Sequence, residues 1–113
     1  SWSEKFSAAE RKFKALDQRL SEAAQYLQLA ATALKDRRHK FSLSNSGVGL
    51  PMEAVMGSDC VSLNANQWPS ADQIMALLSQ WHGAKDELQA AWQQIPQEFR
   101  DRMTPPFSPP RGR

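Results

Sequence analysis

With 113 residues, 41% of them hydrophobic and 23% charged, the chain has the composition of one folded domain, without room for two. Its net charge of +2 and pI near 8.9 are too weak to argue for nucleic acid without a concentrated basic face. No apolar run reaches the ~18 residues of a membrane span, and the single cysteine, Cys60, rules out an internal disulfide framework.

The first predicted element is the strongest. Stepping alternately by four and three from Trp2 meets Phe6, Ala9, Phe13, Leu16, Leu20, Ala23, Leu27, Ala30 and Leu34, all of them apolar. That spacing draws one seam along an α-helix, like the a and d positions of a heptad. Ser1 and Glu4 make a capping box at its start, and no proline or glycine interrupts it. Lys35, Arg37, Arg38 and Lys40 suit the negative end of the helix dipole, so the helix is expected over residues 2–39, roughly 55 Å long. Early in the seam Lys5, Lys12 and Arg19 flank one side, and Glu10 and Asp17 the other. In a parallel pair, Lys5 would meet Glu10 and Lys12 would meet Asp17 of a partner helix. Further along, Ala24, Tyr26, Ala31 and Ala33 widen the face, which suits the interior of a bundle.

Residues 40–69 break the pattern with Gly47, Gly49, Pro51 and Gly57 and many serines and asparagines. They read as a long irregular connection, with one short helical turn expected at 51–56. A second helix is expected over 70–94, capped by Ser70 and Gln73, with Asp72 in its first turn. Its stripe is Ile74, Leu77, Trp81, Ala84, Leu88, Ala91 and Ile95, widened by Leu78 and Trp92. Gly83 costs this helix about 1 kcal/mol relative to alanine, which suggests close packing beside Trp81. Pro96 bends the chain near Ile95 and opens a short third helix, 96–103. Residues 104–113 hold four prolines and read as an extended tail.

The fold expected is therefore all-α: a single helical domain over 1–103, as a hairpin, bundle or coiled coil, and a proline-rich tail. Catalytic chemistry has little to draw on. His39 and His82 lie on different helices, no metal or phosphate-loop motif occurs, and Cys60 has no companion base in sequence. No cofactor is expected, and the chain reads as a non-enzyme.

Three surfaces remain as candidates. The first half of the seam, Trp2, Phe6, Phe13, Leu16 and Leu20, is expected to meet a protein partner, because a second helix of about 38 Å is shorter than the first. Four tryptophans supply further anchors, with Trp81 and Trp92 in the core and Trp2 the best placed for a partner. The basic cluster Arg37, Arg38 and Lys40 suits phosphate. In the tail, Pro106, Ser108, Pro109 and Arg111 belong to a Pro-x-x-Pro-x-Arg pattern of the kind SH3 domains bind, with Ser108 also a proline-directed phosphorylation site. The favoured reading is an intracellular (cytoplasmic or nuclear) assembly subunit or scaffold, as a homo-oligomer or part of a hetero-complex. A tail-borne adaptor for an SH3-like domain and a nucleic-acid-associated module are the alternatives.

Overall fold

A computed structural model describes residues 1–45 and 60–107. In chain order they form helix α1 (Trp2–Asp36), a 3-10 turn (Arg38–Lys40), strand β1 (Phe41–Ser44), strand β2 (Val61–Asn64), a second 3-10 turn (Ala65–Gln67), helix α2 (Ala71–Gln93) and helix α3 (Gln97–Arg100). The predicted helical turn at 51–56 lies outside the described residues. Helix α1 ends three residues before the predicted limit, and the 3-10 turn follows after Arg37. The chain divides into two compact units, residues 1–20 with 75–113 and residues 21–74, where the sequence suggests one domain over 1–103.

The first unit is an antiparallel helix pair with a short third helix. Phe6 and Ala9 of α1 are buried with Leu88, Ala91 and Ile95, and Trp2, Phe13, Trp92, Met103 and Phe107 pack around them. A second cluster joins Leu16 to Leu77 and Ala84, flanked by Phe13, Leu20 and Trp81. Aromatic rings interlock the helices at two levels: Phe6 lies 5.9 Å from Trp92 and Phe13 5.4 Å from Trp81, centroid to centroid. Tilted pairs at this spacing contribute about 0.5–1.5 kcal/mol each beyond the area they bury. The Trp81 indole N–H donates to Asp17 Oδ1 at 3.0 Å, so its polar edge is satisfied while its ring packs. Past α2 the chain turns at Gln94 and Ile95, as Pro96 demands, and α3 brings Phe99 to within 5.3 Å of Trp2. This helix is shorter than the predicted 96–103, because its hydrogen bonding relaxes into turns at 101–102.

The second unit corrects the all-α expectation. Phe41-Ser42-Leu43-Ser44 and Val61-Ser62-Leu63-Asn64 pair as a two-stranded parallel sheet, with Phe41 opposite Val61 and Leu43 opposite Leu63. Both segments alternate apolar and polar residues, the period-2 signature of a strand, at a length short enough to be lost among the surrounding serines. Parallel pairing needs a crossover of a dozen or more residues, which the long connection supplies. Tyr26 ties the second strand to α1: its hydroxyl donates to the Asn64 carbonyl, and its ring stands edge-on to Trp68. Asn64 caps the next turn by accepting from the Asn66 amide, and the Asn66 side chain donates to the Asn45 carbonyl beside β1. Ser70 and Gln73 then close a reciprocal capping box at the start of α2, as predicted.

The seam loses its hold in the second half of α1. Ala30 and Ala33 are buried and Tyr26 half-buried, while Leu34 is 47% exposed. A strict heptad slips about 20° per repeat around a straight helix of 3.6 residues per turn. The predicted line keeps Ala30 on the packed face, and it is only at its last member, Leu34, that the neighbouring Ala33 is buried instead.

Gly83 is a second correction. A Cβ built there meets nothing within 4 Å, so no close approach explains the residue. Gly83→Ala is therefore expected to raise the unfolding free energy by up to about 1 kcal/mol, in proportion to the helix propensity gained. Urea denaturation of both chains checks this; a loss of stability would contradict the open surroundings.

Candidate functional site

The partner-facing seam expected from sequence is closed by the chain itself. Phe6 is 8% exposed and Leu16 7%, both inside the first unit's core, and Phe13 and Leu20 pack against it. Trp2, the residue predicted to have least cover, is half-buried against Phe99. Within the chain these five side chains are covered by α2 and the segments after it, with Phe6 and Leu16 buried and Trp2, Phe13 and Leu20 half-buried. The predicted cross-partner ion pairs are replaced as well. Lys12 Nζ meets Glu87 of α2 at 2.8 Å, Glu10 pairs with Lys14 at 3.8 Å, and Asp17 accepts from Trp81.

What the fold leaves open is a groove on the flank of the helix pair. It consists of two adjoining concavities of about 410 and 390 Å³ that share Lys12 and Glu87. Its lining repeats every seven residues on both helices. Lys5, Lys12 and Arg19 form one rim, and Gln80, Glu87 and Gln94 the other. Between them the floor is small: Ala8 and Ala15 from α1, Gly83 and Ala90 from α2, with Ala9, Leu16, Ala84 and Ala91 deeper. This repetition comes from helix geometry, since residues seven apart lie two turns on at nearly the same angle. The antiparallel register, in which Lys12 faces Glu87, places Lys5 at the Gln94 end and Arg19 at the Gln80 end.

The electrostatics of the groove are one-sided. Three cations face one carboxylate, and the Lys12–Glu87 pair, with both side chains more than half exposed, contributes at most about 1 kcal/mol. Its main effect is to span the groove at its centre and neutralise it there, leaving positive charge at both ends.

The remaining sequence candidates do not converge. Arg37 and Arg38 are exposed and Lys40 is half-buried, in and beside the 3-10 turn after α1. His39 is exposed, Cys60 is half-buried just before β2, and His82 lies edge-on to Trp81. Among the described residues no group of three or more His, Cys, Asp or Glu side chains is arranged to hold a metal ion. No described helix is long and apolar enough to cross a membrane. Of the tail motif, Pro106 is half-buried, while Ser108, Pro109 and Arg111 lie outside the described residues.

The tail departs from its prediction at Phe107, which is part of the folded unit. Its ring stands edge-on to Phe13 at 5.1 Å, and Lys85 Nζ lies 5.3 Å from its centroid and 5.4 Å from that of Trp81. The prolines are conspicuous in the sequence and the anchor between them is not. Comparison of the chain with protein families, curated proteins and solved structures finds no significant match.

Phe107→Ala should lower the unfolding free energy by about 1–2 kcal/mol, the worth of a partly buried aromatic with an edge-on partner. Chemical denaturation monitored by tryptophan emission measures it, and an unchanged midpoint would show that the ring adds nothing to the core.

Proposed function

We propose that this chain is a non-enzymatic assembly module, an antiparallel coiled-coil-type hairpin that presents a surface to another protein. The observation that supports the reading is the contrast between the two sides of the first unit. Large aromatic side chains are used in closing the hairpin, whereas the groove beside them is floored by alanine and glycine and left open. Small side chains keep a helix surface low, so that a partner backbone can approach closely. Two large apolar residues, Met75 (66% exposed) and Leu78, add to the accessible surface of α2 one turn apart.

The tail-borne adaptor reading has less support, because Pro106 and Phe107, which open the motif, are partly taken up by the fold. The basic-cluster reading rests on Arg37 and Arg38 alone, since Lys40 is half-buried. A single surface is therefore the economical assignment.

Site-specific photocrosslinking in cells tests it. A benzophenone side chain at Ala8, Ala15 or Ala90, all exposed, is expected to give one discrete crosslinked species. The same group at Gln25 or Gln28, exposed positions outside the groove, should give none. Equal smears at all positions would contradict an assembly role for the groove.

A further inference from the structure

We infer that the groove's occupant is a single amphipathic helix of a partner protein, with acidic residues about two heptads apart beside its apolar stripe. This rests on the assembly reading above and specifies its partner.

Shape is the first reason. From Lys5 to Arg19 the groove runs fourteen residues, about 21 Å at the rise of an α-helix. Its lining advances by heptads on both walls, which is the spacing at which a third helix meets two others knobs-into-holes. The floor residues Ala8, Ala15, Gly83 and Ala90 leave the holes, and side chains of leucine size on the incoming helix fill them.

Size is the second. A footprint roughly 21 Å long and one helix diameter, about 10 Å, wide falls well short of the ~800 Å² per partner that a standard stable interface takes. A contact of that size is a small, transient one. The groove suits one helix of about four turns.

Charge is the third. Lys12 is already paired with Glu87, whereas Lys5 and Arg19 carry no acidic partner among the described residues. These two cations stand at opposite ends of one rim. A helix lying along it places residues fourteen apart beside them, and carboxylates there are favoured while lysines are repelled.

The test uses the full chain and two fluorescent synthetic helices of about 18 residues with identical leucine–alanine stripes. One carries glutamate at the two rim positions and the other lysine. By anisotropy at low salt, the glutamate helix is expected to bind at least about tenfold more tightly, with an advantage that shrinks as salt rises. Lys5→Glu combined with Arg19→Glu should invert the preference. Ala15→Trp, which fills an exposed part of the groove and leaves the core alone, should abolish binding of both helices.

Equal affinities, binding that survives Ala15→Trp, or no binding of either helix would overturn the inference. If the groove still gave its discrete crosslink in cells while both helices failed, the assembly reading would stand and the acidic-helix partner would fall. Loss of both would remove the two together.

Discussion

The first unit depends on the interlock of two aromatic pairs across an antiparallel helix interface, Phe6 with Trp92 and Phe13 with Trp81. A chain of this size has little core to spare. Its fully buried large side chains are Leu88 and Ile95, and most other core positions of the pair are alanines or half-buried rings. Aromatic side chains compensate, because each covers a large area from the edge of the core without being enclosed. Rings of α1 also meet the C-terminal segments. Phe99 settles on Trp2 and Phe107 on Phe13, so α3 and the start of the tail are held by the seam of α1.

The groove lies beside that arrangement. With the aromatic rings gathered on one line between the helices, the neighbouring exposed positions on this flank are small, although no close approach demands it at Gly83. Ala8, Ala15, Gly83 and Ala90 are small, and the rims are lysine, arginine, glutamine and glutamate. The groove is a consequence of how the hairpin closes, and its charge is the part that folding does not require. Lys12 and Glu87 stabilise the register only slightly, while Lys5 and Arg19 leave the flank positive.

The long helices are legible in the sequence because amphipathic periodicity and caps are local signals. Ser1 with Glu4 and Ser70 with Gln73 mark both starts, and hydrogen bonds form at both. The strands are not legible, although Phe41–Ser44 and Val61–Asn64 alternate correctly, because four residues of period 2 are too few to stand out. Nor is the source of the cover over α1. A heptad seam looks the same whether another chain or α2 lies on it, and only the fold shows that α2 does. The groove is half visible: Lys5, Lys12 and Arg19 stand out as a flank, but their counterparts Gln80, Glu87 and Gln94 gain meaning only once the antiparallel register is known.

The aromatic seam, then, is satisfied within one chain. Light scattering of the purified chain and of Phe13→Asp, with circular dichroism on both, tests this directly. The expected result is a parent that stays at the 12.7 kDa of one chain as concentration rises, and a variant that loses helix because its core is broken. A parent dimer that Phe13→Asp splits into well-folded monomers would contradict it and return the seam to a partner.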